Sequence, residues 1–124
     1  MTRKILIVED EQNILELLAE ILEGTQNYDV FLARDGLEGL ELAQKQRPDL
    51  VLLDVQLPKM DGHQVCKLLK SNPETAKAKV LMITGFAQNS DRRQSMAAGA
   101  DTYLSKPFTT AAILSAVDEL LKTA

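Results

Sequence analysis

The sequence predicts an alternating α/β fold: a doubly wound parallel sheet covered by helices on both faces. Three observations carry that prediction. Short apolar runs recur at 4–8, 28–33, 50–54, 80–84 and 102–105, each of strand length. Between them the apolar residues return at helical spacing, as at Ile14, Leu15, Leu18, Ile21 and Leu22. Strands and helices alternate throughout, which implies right-handed crossovers and parallel strands.

Lys4-Ile5-Leu6-Ile7-Val8 is rich in β-branched residues and stops abruptly at Glu9-Asp10-Glu11, so it reads as the first strand. The first helix starts at Gln12, and Gly24 supplies its stop. Tyr28 to Ala33 forms a second strand, more polar at its start and therefore nearer an edge. After the Asp35-Gly36 turn a helix runs through Leu37, Leu40, Leu42 and Ala43, and Pro48 halts the chain beyond it.

The third strand, Leu50 to Asp54, is apolar until its last residue, the pattern of a strand buried on both faces. The following loop is broken at Pro58 and again at Asp61-Gly62. Val65, Leu68 and Leu69 mark a third helix, ended by Asn72-Pro73. Val80 to Thr84 is strand four, followed by Gly85. The fourth helix, about Ser90 to Ala98, has little apolar surface beyond Met96, Ala97 and Ala98. It is therefore expected to be weakly anchored and able to move. Gly99-Ala100-Asp101 turns into the fifth strand, Thr102 to Ser105, and Ile113, Leu114, Val117, Leu120 and Leu121 stripe the last helix after Pro107.

The 124 residues, 45% hydrophobic and 26% charged, suit one domain spanning 1–124. No apolar run approaches the ~20 residues needed to span a bilayer, and the run after Met1-Thr2-Arg3-Lys4 is too short for a signal peptide. Cys66 is the single cysteine, so no internal disulfide forms, which fits a cytoplasmic setting. The net charge of −4 argues against direct nucleic-acid binding. The charge is uneven: residues 1–62 hold 13 acids and 6 bases, residues 63–124 hold 5 and 8. An acidic, cation-attracting site built from the first half is one reading of that asymmetry, and an ordinary solvated surface is the other.

Glu9 and Asp10 end strand one, Asp54 ends strand three, Thr84 ends strand four and Lys106 follows strand five. In a parallel sheet these carboxyl ends share one edge, where open α/β sheets bind ligands. Any one such residue is explained by the polarity of loops; three carboxylates, a hydroxyl and a lysine together are explained less well. Crowded carboxylates call for a proton or a cation. An oxygen-only set without His or Cys suits Mg²⁺ and disfavours zinc. Phosphoryl transfer fits such a site. A carboxylate can itself be the nucleophile in such a site, forming an aspartyl-phosphate, with Thr84 hydrogen-bonding one phosphoryl oxygen and Lys106 pairing with another.

Four blocks carry a resemblance across essentially the whole chain: Ile7-Val8-Glu9-Asp10-Glu11, Leu53-Asp54-Val55-Gln56-Leu57-Pro58-Lys59-Met60-Asp61-Gly62, Ile83-Thr84-Gly85, and Ala98-Gly99-Ala100-Asp101-Thr102-Tyr103-Leu104-Ser105-Lys106-Pro107-Phe108. With them the sequence resembles the receiver domains of two-component response regulators, and is similar in size and layout to the chemotaxis type. The resemblance implies a flavodoxin-like sheet of order 2-1-3-4-5. It implies that Asp54 accepts a phosphoryl group from a phosphohistidine on a sensor histidine kinase or histidine phosphotransfer protein. Glu9, Asp10, Asp54 and the backbone carbonyl of Gln56 are then the Mg²⁺ ligands. Thr84 and Lys106 sense the phosphate, the Lys106–Pro107 bond is cis, and Tyr103 is the aromatic switch acting with Thr84. The surface of helix four, strand five and helix five would be the one that responds, and the domain would have no enzymatic output beyond its own phosphorylation and dephosphorylation.

Gln56 and Phe86 lie two residues after Asp54 and Thr84, positions that influence dephosphorylation in that family; here Gln56 would orient a water and Phe86 would shield the site. Gly85 leaves the site open to small phosphodonors. His63 reads as an exposed first-turn helix residue, Cys66 as a small packing residue, and Arg92 and Arg93 as solvated. Three other readings stay open. One is a receiver excised from a longer regulator with a DNA-binding or enzymatic output domain. Another is an aspartyl-phosphate hydrolase, disfavoured because Gln56 stands where such enzymes carry a second acid. The last is a flavin-binding module, disfavoured because Glu9-Asp10-Glu11 repels phosphate.

Overall fold

Five parallel strands lie in the order β2-β1-β3-β4-β5 in the structure, a computed structural model that describes residues 2–85 and 89–122, the side chains of 89–91 excepted. The elements are β1 (Arg3–Val8), α1 (Gln12–Glu23), β2 (Tyr28–Ala33), α2 (Gly36–Gln46), β3 (Leu50–Asp54), α3 (Gly62–Ser71), β4 (Lys79–Thr84), α4 (Asn89–Ala97), β5 (Thr102–Ser105) and α5 (Thr110–Lys122). Every residue of β3 is buried, as its unbroken apolar run requires of a strand flanked by β1 and β4. β2 is an edge strand, and its polar start is the reason it tolerates that place.

Alternation along the strands sends side chains to two separate cores. Leu6, Val8, Val51, Leu53, Val80 and Met82 pack with Ala43 of α2 and with Val65, Cys66 and Leu69 of α3. On the other face Ile5, Ile7, Leu50, Leu52, Leu81 and Ile83 meet Leu15, Leu18 and Leu22 of α1 and Ile113, Val117 and Leu121 of α5. Asp35 and Asp61 cap α2 and α3, accepting from Glu38 N at 2.8 Å and Gln64 N at 3.0 Å.

The structure departs from the sequence reading at a few points. α2 presses so closely on β1 that a Cβ on Gly39 would meet Val8 Cγ2 at 2.9 Å. The helix therefore buries Gly36, Gly39 and Ala43, while Leu37 is 53% exposed. Leu68 on α3 likewise points outward, 47% exposed. α4 is even less apolar on its inner side than the sequence suggests: Ser95 is buried and Met96 is 48% exposed. Gly24 ends α1 in a right-handed conformation, and the left-handed residue beyond it is Gln26.

Candidate functional site

The carboxyl ends of β1, β3 and β4 form one edge of the sheet, and the polar residues that end these strands meet there. Hydrogen bonding along β1 and β3 sets Val8 level with Leu53, so the residues after each, Glu9 and Asp54, stand side by side. Glu9 and Asp54 are buried and Asp10 is exposed; one carboxylate oxygen from each lies within 4.8 Å of the others. Lys106, just past β5, reaches into this cluster. Its Nζ donates to Glu9 Oε1 and to Asp54 Oδ2, each at 3.3 Å.

Burial in a low-dielectric pocket pushes the Glu9 carboxyl up to about 7, helped by its hydrogen bond with Asp54 and opposed by the Glu11 backbone N–H at 3.1 Å. Burial works against the charge on Lys106. The attraction of Asp54 and Glu9 outweighs it and lifts the lysine above its ordinary value. The three acids thus form an oxygen-only donor set, crowded enough to hold one proton and open to solvent at Asp10. Both properties suit a hard divalent cation.

The loop after Asp54 is fixed by backbone contacts. Val55 N donates to Ile83 O at 2.9 Å, and Gly62 N to Val55 O at 2.8 Å. A methyl group on Gly62 would run into the Asp54 carbonyl oxygen and come within 2.8 Å of Val55 Cα, so only glycine fits. Gln56 is exposed, and its backbone N–H donates to Asp54 Oδ1 at 3.2 Å. Lys59 takes a positive φ of 71°, and its ammonium lies 3.8 Å from the Asp35 carboxylate at the α2 cap.

Thr84 is fully buried at the end of β4, level with Ser105 on β5. Tyr103 is half-buried and packs against the core that contains Val8 and Leu53. The Lys106–Pro107 peptide bond is cis. Among the described residues, a Cβ on Gly85 would meet nothing within 4 Å. Phe86 lies outside the described residues. Glu9, Asp10, Asp54 and Lys106 are thus brought together, with Thr84 at the end of the neighbouring strand β4 and Tyr103 half-buried on β5.

His63 is not the exposed residue the sequence suggests. Its side chain is 18% exposed, with Nε2 3.2 Å from Ser95 Oγ on α4 and Nδ1 4.0 Å from Asp61 Oδ1. No local sequence signal announces a contact between residues so far apart in the chain. Cys66 is buried, and its thiol is pushed up to about 11, chiefly by burial. Arg92 and Arg93 are exposed. Among the described residues no helix is long and apolar enough to cross a membrane.

Residues 5–118 match the family model described as response regulator receiver domain. The chain is 43% identical to the DNA-binding dual master transcriptional regulator RpaA of Synechocystis, over 96% of this chain and 49% of that protein. It is 34% identical to the polar-differentiation response regulator DivK of Brucella ovis, over 98% of each. The chain therefore spans about half the length of RpaA and nearly all of DivK. Among solved structures, the receiver domain of a sensor histidine kinase from Pseudomonas aeruginosa, with a magnesium ion coordinated in its active-site cleft, superposes with a TM-score of 0.90 at 27% identity, covering 98% of this chain and 99% of that one. The chain belongs to the response regulator receiver domain family, the phosphorylation-activated receivers of two-component signalling.

Proposed function

We propose that this chain, residues 1–124, acts as one receiver unit in which Asp54 is the phosphoacceptor. The observation that carries the reading is the contact of Lys106 Nζ with both Glu9 and Asp54 inside a cluster of three carboxylates. Glu9, Asp10, Asp54 and the Gln56 carbonyl would hold Mg²⁺, which when bound neutralises charge on the transferring phosphoryl oxygens. The donor is a phosphohistidine on a sensor histidine kinase or histidine phosphotransfer protein. A carboxylate oxygen of Asp54 forms the new O–P bond as the N–P bond breaks, and the imidazole leaves and takes up a proton.

Lys106 moves its attraction from the carboxylate to a phosphoryl oxygen, and the Thr84 hydroxyl donates to another. The added negative charge then biases α4, β5 and α5, with Tyr103 following Thr84 as the aromatic switch. We assign no enzymatic output to the unit beyond its own phosphorylation and dephosphorylation. We place it in the cytoplasm without direct nucleic-acid contact; any output carried by a longer chain would belong to other domains. Incubation with acetyl phosphate and Mg²⁺ tests the reading. A mass gain of one phosphoryl group, mapped to the peptide that contains Asp54, supports it, and no gain in a folded protein contradicts it.

A further inference from the structure

α4 has a slender hold on the rest of the domain. Arg92, Arg93, Gln94, Met96 and Ala97 are exposed, and what the described helix buries is Ser95, with Ala98 just past its end. Ser95 does not rest on apolar packing alone: its Oγ lies 3.2 Å from His63 Nε2 on α3. A hydrogen bond between a buried hydroxyl and a mostly buried imidazole is costly to lose, because neither group readily finds water instead.

The two ends of this bond are anchored differently. His63 follows Gly62, which is clamped to Val55 O at 2.8 Å and leaves no space against the Asp54 backbone. Asp61, which caps α3 by accepting from Gln64 N, has its carboxylate 4.0 Å from His63 Nδ1 on the other side of the ring. His63 is therefore fixed to the loop that follows Asp54. Ser95 instead rides on a helix joined to β4 just beyond Thr84. Beside the bond a cleft of about 300 Å³, lined by His63, Lys67, Gln94 and Ala97 among others, separates the two helices. That space lets α4 shift without repacking a tight interface.

We propose that the His63–Ser95 hydrogen bond is a latch between α3 and α4 whose release is linked to phosphorylation of Asp54. The proposal rests on the phosphoacceptor reading above. When Thr84 is drawn toward a phosphoryl group, the root of α4 moves with it while His63 stays with the β3–α3 loop, and the bond opens. Linkage makes this reciprocal: a bond that phosphorylation must break opposes phosphorylation by the same free energy.

Beryllofluoride with Mg²⁺, as a phosphoryl mimic, tests the latch by calorimetric titration of the full chain. Wild type, Ser95→Ala, His63→Ala and the double variant are compared, with Asp54→Asn as control and circular dichroism to confirm folding. Each single variant is expected to bind the mimic roughly three- to tenfold more tightly, the size of one hydrogen bond. The double variant should bind no more tightly than the singles, because all three remove the same contact. In wild type the His63 Nε2 resonance should move on binding. Should the wild type bind while the variants keep wild-type affinity and the His63 resonance stays in place, the latch is wrong and the phosphoacceptor reading stands. Absence of binding to folded wild type overturns both.

Discussion

The Lys106 ammonium stands 3.3 Å from the Asp54 carboxylate, bridging β5's end to β3's across the edge of the sheet. The same nitrogen is 3.3 Å from Glu9, so a single cation offsets two buried carboxyl groups. Replacing it with a neutral side chain has two consequences. Lys106→Ala should lower stability without Mg²⁺ by about 1–3 kcal/mol, since buried acidic groups lose their partner, and added Mg²⁺ should restore part of that. Phosphorylation by acetyl phosphate should slow by roughly 10- to 100-fold, because a charge aimed at a phosphoryl oxygen is gone. Urea melts with and without Mg²⁺ and a phosphorylation time course check both.

Glu9, raised to about 7, makes Mg²⁺ binding pH-dependent. The cation takes the ionised carboxylate, so below pH 7 binding must displace a proton. Apparent Mg²⁺ affinity should therefore fall as pH drops from 8 to 6, with proton uptake by the buffer, and Glu9→Gln should abolish the dependence along with most of the affinity. Metal-free stability carries the opposite sign. The folded state binds this proton more tightly than the unfolded chain, whose value is 4.5, so stability should decline as pH rises from about 4.5 to 7. Calorimetry in two buffers of different ionisation enthalpy measures the first effect, and denaturant melts across that pH range measure the second.

Two glycines near the site should respond oppositely to the same change. Gly62→Ala forces a methyl into the Asp54 backbone and should cost about 1–3 kcal/mol or more, with the loop and the phosphorylation rate disturbed together. Gly85→Ala places its methyl where no described residue comes within 4 Å and should shift stability by no more than about 0.5 kcal/mol. Thermal melts of the two variants side by side decide whether the Gly62 contact is as tight as the structure shows.

Cys66, buried with its thiol pushed up to about 11, offers little thiolate at neutral pH. Thiol reagents should label it slowly in the native protein and rapidly in denaturant. Comparable rates in the two conditions would mean that α3 opens far more often than its packing implies.

Much of the fold was legible because each strand announces itself twice, by apolar content and by the polar residue that stops it. Ile5 to Val8 before Glu9 and Leu50 to Leu53 before Asp54 fix both the strands and the edge on which their ends meet. Strand order, by contrast, came from the family resemblance, and the structure has the 2-1-3-4-5 sheet that it implies. What was not legible depended on distances between elements. Leu37 and Leu68 look like core residues by spacing, yet the close approach of α2 through Gly39 leaves Leu37 outside, and α3 buries Val65, Cys66 and Leu69 while Leu68 faces outward. The His63–Ser95 contact joins two helices whose sequences carry no sign of each other.

Transfer of a phosphoryl group to wild type and to Asp54→Asn, followed side by side with the same phosphohistidine donor and Mg²⁺, tests the central claim most directly. Asparagine keeps the shape of the side chain and removes the nucleophilic carboxylate. Incorporation should be rapid in wild type and absent in the variant. Equal rates of incorporation in the two proteins would contradict the assignment of Asp54 as the phosphoacceptor.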